Sequence, residues 1–277
     1  MLTSTTTQQN QDMIMDEFRD EGGIDTATST NESYDSADFY TNSTSGGENF
    51  TDDSGDTGHI VTATNNATSD ASEKKFGASS ASFDGTNDYL SVADSDDFAF
   101  GSGSFTYELW FRFTSTPDDY DVFFEQRLNN QNYIIIDYGD SGKTRLSVTD
   151  SSSITTNYHV TSAPTWNTNT WYHMAYTYDG ATVRMFQDGT SLSLTETNAK
   201  SDFPNIASDI HIGNSDLGAG DWGGLFDEVR ISDTARYTTN FTPSTNQFTS
   251  DSNTKLLMHM NYVAGTPNDI TLISNTT

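Results

Sequence analysis

Oxygen donors at short spacing carry most of the chemistry this sequence suggests. The run "FDGTNDY" holds Asp84, Asn87 and Asp88 around a glycine. Such side chains either bend a turn through Asx hydrogen bonds or donate oxygens to a hard cation. Another carboxylate is notable for its position. In "LFDEVRIS", Leu225 to Ser232, strand parity groups Asp227 with Leu225, Val229 and Ile231, and sets Phe226, Glu228 and Arg230 on the other side. A carboxylate on an apolar face is costly unless paired. Asp227 therefore needs a partner: a cation, Arg230 or a backbone amide.

A second candidate is the Gly- and Asp-rich loop "NSDLGAGDWGG", which opens at Asn214. Trp222 offers a flat face to a sugar ring, and Asp216 and Asp221 offer planar acceptors to its hydroxyls. The competing reading makes Trp222 a cover over one end of the fold. No residue is assigned a catalytic role. Carboxylates are so frequent that any pair is uninformative as a glycosidase pair. The five His residues form no HExxH motif or close pair, and no GxSxG turn or phosphate-binding Gly loop occurs. The chain is read as a non-enzyme.

The elements that must position these residues alternate with period two over residues 48–262. "SFTYELWFRF" sets Phe105, Tyr107, Leu109, Phe111 and Phe113 on one face and Thr106, Glu108, Trp110 and Arg112 on the other. Asp179-Gly180 and Asp188-Gly189 separate β-rich runs and signal hairpin turns. About a dozen short strands with Gly, Asp and Asn turns predict an all-β sandwich or jelly roll. Residues 1–47 are polar and mostly irregular. Only "QDMIMDEFRDEGG" there, with Ile14 and Phe18 four apart, suggests a short helix, on an arm that orders on a partner. Residues 263–277 form a C-terminal tail.

Composition narrows the partners. Against 12 Lys and Arg stand 40 Asp and Glu, a net charge of −28, which repels nucleic acids and anionic membranes and attracts cations. There is no cysteine, so disulfides and thiolate metal sites are excluded. The N-terminal run has neither a basic start nor an apolar stretch, so no signal peptide is expected, and no segment has the length of a membrane span.

Five motifs in order, "ASFDGTNDYLSV", "GSFTYELWFRF", "WYHMAYTYDGATVRMFQDG", "IHIGNS" and "GGLFDEVRISDTARY", resemble the laminin-G-like, concanavalin A-like jelly rolls over roughly residues 58–245. The run "FTPSTNQFTSDSNTKLLMHMN" resembles the version in tailed-phage and marine-virus structural proteins. The resemblance implies a two-sheet antiparallel sandwich whose first and last strands pair. That pairing would bring Asp227 to Asp84, Asn87 and Asp88, where many members hold a structural Ca²⁺; a hydrogen-bonded corner is the alternative. The resemblance also makes Glu108 a strand glutamate in an ion pair with Arg112 or Arg230, His173 a packed structural residue and Trp171 a core residue. Trp110 and Trp166 read as packing residues.

Function follows as an expectation. The chain is a surface-displayed virion protein (decoration, fibre or tail-associated), made in the host cytoplasm and anchored to other virion proteins by its arm. Glycan binding is an optional role and trimeric assembly an expectation from resemblance. The alternative is a cellular carbohydrate-binding module detached from a glycoside hydrolase.

Overall fold

The computed structural model describes residues 50–55, 58–151, 155–198, 200, 202–215 and 220–261. These lie in one compact unit, Asn42–Thr277. The arm expected over 1–47 and the tail over 263–277 lie outside the described residues.

Two antiparallel eight-stranded sheets form the sandwich, with strands numbered here in chain order. Sheet I runs β1 (Val61–Thr64), β4 (Tyr89–Val92), β14 (Ile210–Ile212), β6 (Asp121–Asn129), β7 (Asn132–Tyr138), β8 (Thr144–Thr149), β9 (Thr155–Val160) and β13 (Leu194–Thr197). Sheet II runs β12 (Thr190–Ser191), β11 (Val183–Gln187), β10 (Trp171–Tyr178), β5 (Phe105–Phe113), β15 (Gly223–Ser232), β3 (Ser80–Asp84) and β2 (Thr68–Asp70). The eighth strand of sheet II, β16 (Thr254–Met258), pairs the second half of β15, whose first half pairs β3. The all-β jelly-roll expectation is met.

Alternation builds the core. Phe105, Tyr107, Leu109, Phe111 and Phe113 of β5 all enter the main cluster between the sheets, against Phe123, Phe124, Ile134 and Ile136 of sheet I. Asp188 (φ 48°) and Gly189 (φ 75°) join β11 to β12 as a two-residue turn with both φ angles positive, as the Asp-Gly signal predicts. The other Asp-Gly sits in a longer loop. There Asp179 Oδ1 accepts the N–H groups of Ala181 and Thr182 and rebuilds the turn with its side chain.

Parity in β15 breaks at one place. The register on β5 passes from Asp227↔Trp110 to Arg230↔Glu108, so Glu228 and Val229 together oppose Leu109. Glu228 sits at φ 51°, the extra residue of a β-bulge. The bulge resets the faces: Phe226, Val229 and Ile231 enter the core, while Asp227 and Arg230 both point out of sheet II. The sequence reading, which carried one parity through the whole run and put Asp227 on the apolar side, is corrected here.

Candidate functional site

The four residues expected to share a calcium do not meet. β15 pairs β3 with Gly223 opposite Asp84, which leaves Asp227 four residues further along the strand, about 13 Å away. Asp88 is fully buried, and both its oxygens are engaged by the backbone: Asn66 N–H donates to Oδ1 at 2.7 Å and Asp84 N–H to Oδ2 at 2.7 Å. Asp84 accepts the Asn66 amide, and Asn87 takes φ 60° at the turn. This is the hydrogen-bonded corner, and its donors do not fit the ligand set of one ion with Asp227. Among the described residues no three His, Asp or Glu side chains converge as metal ligands.

Asp227 instead anchors a loop. Its Oδ2 accepts Lys75 N–H at 2.7 Å and Phe76 N–H at 3.0 Å. Burial pushes the carboxyl up to about 7, because two amide hydrogen bonds only partly replace lost water. Beside it lies a buried ionic network on the outward side of sheet II. Glu108 is fully buried and binds Arg230 (2.8 Å and 2.7 Å), Tyr237 hydroxyl (2.8 Å) and His173 Nε2 (3.2 Å). Burial raises its pKa, but His173 and Arg230 outweigh that and hold it below the usual carboxylate value. Glu228 accepts Phe248 N–H at 2.6 Å and faces His259 Nδ1 at 2.9 Å. Segment 233–253 thus covers this side, with Phe248 packed on Trp110 and Leu257, flanked by Phe76 and Trp171. Glu108 finds the Arg230 expected of it and His173 is the packed residue expected. Trp110 and Trp171 belong to this outer cluster rather than to the core between the sheets.

The sugar loop is also redrawn. Trp222 is fully buried, stacked on Phe113 (4.6 Å between centroids) and tilted against Phe226 (4.5 Å), so its ring is not free for a sugar. The parity that aims Phe113 and Phe226 inward captures it. Asp216 lies outside the described residues. Asp221 is half-buried beside Asp121, whose carboxyl is pushed up to about 7 by burial, with Asp118, Asp221 and Asp119 adding repulsion.

Alternation also furnishes the outward side of sheet I, on which Glu125, Ile135, Asp137 and Ser147 are buried. Along β6–β9 it presents Glu125, Arg127, Tyr133, Ile135, Asp137, Arg145, Ser147, Asn157 and His159, since their neighbours Phe124, Ile134, Ile136, Leu146 and Tyr158 fill the core. Arg145 grips Asp137 through Nε and Nη2, both at 2.7 Å. Burial nevertheless leaves Asp137 raised, and burial together with Arg145 lowers His159. Arg127 pairs with Glu125 and lies 4.0 Å over the Tyr133 ring. Arg145 lies 5.0 Å from the ring of Tyr120, which is 44% exposed. His211 stacks on Tyr89 at 4.4 Å. Among the described residues no segment is hydrogen-bonded across this face as 233–253 is across sheet II. Sequence reading missed it, although "DVFFEQR" and "NYIIIDYG" carry the signal: charged and aromatic residues at alternate positions in buried-looking strands.

Residues 84–240 match the profile of the concanavalin A-like lectin/glucanases superfamily, in its laminin-G form. The chain belongs to this superfamily. No curated protein sequence matches it. Among solved structures, it is similar to domain 4 of AbnA, a GH43 extracellular arabinanase from Geobacillus stearothermophilus, in complex with arabinotriose. That likeness has 17% identity and a TM-score of 0.51, covering 68% of this chain and 94% of that one. It is also similar to a putative carbohydrate binding protein from Bacteroides ovatus (25% identity, TM-score 0.38, 50% of this chain and 39% of that one). A third is the mouse laminin alpha1 chain, domains LG4-5 (16% identity, TM-score 0.42, 60% and 46%). The chain spans less than half of each of these last two structures.

Proposed function

We propose that this chain is a non-catalytic glycan-binding module and that the outward face of sheet I is its binding surface. The observation that carries the reading is the set of aromatic and polar side chains on this face. It combines a half-buried tyrosine beneath Arg127, an exposed tyrosine beside Arg145 and polar side chains fixed in ion pairs. Planar, pre-oriented donors and acceptors beside aromatic rings suit sugar hydroxyls and ring faces. Membership of a lectin and glucanase superfamily supports it. The non-catalytic reading is supported by the two carboxylates of the face. Glu125 and Asp137 are buried and each is held by an arginine, which keeps both from flanking a glycosidic bond.

A glycan array probed with the full chain, with arabinotriose among the ligands, is the test. Binding that is lost in Tyr133→Ala supports the reading, and silence across the array counts against it. Display on a virion surface is a second proposal. It rests on the likeness of the C-terminal run to virus structural proteins, and residues 1–47 and the trimer belong to it. Its check is protease cleavage of 1–47 in isolated chain but not in assembled particles.

A further inference from the structure

We propose that His259 is a pH-operated clasp: as an imidazolium it fixes segment 50–55 on β16, and once neutral it loosens that segment while the sandwich stays folded. β16 pairs β15 along one edge. Along its other edge lies 50–55, where Asp53 N–H donates to the Leu257 carbonyl at 2.6 Å. Where a strand would go on to offer carbonyls, two carboxylates serve. Asp52 Oδ1 accepts Leu257 N–H at 3.1 Å, and Asp53 Oδ2 accepts His259 N–H at 3.1 Å. Acidic side chains thus fasten this segment, and they fasten it beside other acids.

Charged groups face His259 from two elements. β15 sends Glu228, whose carboxylate oxygens lie 2.9 Å and 3.0 Å from Nδ1, and Asp227. Segment 50–55 sends Asp53, on which the charge of Asp52 also acts. Segment 233–253 reaches Glu228 through Gln247 Nε2 and Phe248 N–H, which carry no charge. Lys75 of the neighbouring loop stands over the Trp110 ring at 3.9 Å and faces Asp188 and Asp227. Glu228 and Asp227 are fully buried, so water does little to screen them.

The direction of the response follows. Burial lowers the pKa of His259, but the Glu228 hydrogen bond and the charges of Glu228, Asp53 and Asp227 outweigh it and raise the group above its ordinary 6.5. The contribution of His259 is therefore full below that value and is lost as pH rises through the raised one. Burial raises Asp53 and Asp227 as well, so the same rise in pH ionises carboxyls around a ring that has lost its charge. Phe50 in the core and the Ser250 hydroxyl on the Ser54 carbonyl keep the segment within reach, so the change is a local opening.

The test is hydrogen exchange of the full chain, read by NMR at single amides, with each rate divided by its intrinsic rate at the same pH. Between pH 6 and pH 9 the protection of the Asp53 and Leu257 amides should fall by about threefold or more, while that of β5 and β10 holds. His259→Gln keeps a donor for Glu228 but has no proton to lose, and should flatten the fall. His259→Arg stays charged and should keep the protection high at pH 9. In the unsubstituted chain the His259 ring should titrate in step with the two amides, a readout that needs no variant to fold. Protection that does not change with pH, a fall shared by β5 and β10, an equal fall in His259→Gln, or a ring that titrates out of step would each overturn the inference.

Discussion

The two outward faces of this sandwich are built from similar residues and differ, among the described residues, in what is hydrogen-bonded across them. Each carries arginine–carboxylate pairs, histidines and aromatics set by strand alternation. On sheet II the chain folds back over them: segment 233–253 and the loop at Lys75 and Phe76 seal Glu108, Arg230 and His173 from water. On sheet I Arg145 and Tyr120 meet solvent. A polar cluster covered by its own chain acts as fastening; on sheet I the Glu125 and Asp137 carboxylates are buried too, and the exposed ring is Tyr120.

Substitutions can break this contrast. The largest effects belong to the sealed side and the core. Glu108→Ala leaves Arg230 buried without its partner and should cost about 3–5 kcal/mol. Trp222→Ala should cost about 3–5 kcal/mol because it opens a cavity among Phe113, Phe123 and Phe226. Urea unfolding measures both, and glycan affinity of the folded fraction should not change. A Trp222→Ala protein of undiminished stability would return that ring to the surface.

The pH response sharpens the comparison next. Asp227 and Asp121 are both raised to about 7 from an unfolded value of 3.8. Between those values the folded chain holds protons the unfolded chain has released, so their contribution is full at low pH and is lost as pH rises through about 7. Glu108 is lowered, and so is Asp251, which accepts two hydrogen bonds from the Arg236 guanidinium, so their contributions are present at neutral pH and are lost as pH falls through the acid range. Asp227→Asn, which keeps an acceptor for Lys75 and Phe76 but cannot ionise, should shrink the fall in melting temperature between pH 5 and pH 8. An undiminished fall would place the titration elsewhere.

On sheet I, Arg145→Ala strips the buried Asp137 of its bidentate partner and should cost about 1–3 kcal/mol along with glycan affinity. Asp88→Ala removes the acceptor of two backbone amides and should cost about 1–2 kcal/mol, equally in EDTA and in millimolar Ca²⁺. A cost that appears only with Ca²⁺ would put a metal at that corner. Tyr133→Ala should be the mildest, within about 0.5 kcal/mol in stability.

Much of this was legible from alternation. The five apolar residues of β5, the Asp188-Gly189 turn, the Glu108–Arg230 pair and the sandwich itself follow from local pattern and family resemblance. What failed was long-range. The bulge at Glu228 flips Asp227 to the outer face, and no local signal marks it, because glutamate is an unusual residue at positive φ. Trp222 looked exposed in a Gly-rich loop, yet Phe113, Phe123 and Phe226 converge on it only in three dimensions. The polar set on sheet I was hidden for a related reason: its strands read as core throughout.

Hydrogen–deuterium exchange of the full chain, with and without the tightest glycan from the array, locates the glycan-binding face. Added protection confined to 121–149, covering β6, β7 and β8, with 233–261 unchanged, is the expected result. Protection concentrated in 233–261, or at the Asp84–Asp88 corner with β6–β8 unchanged, would contradict it.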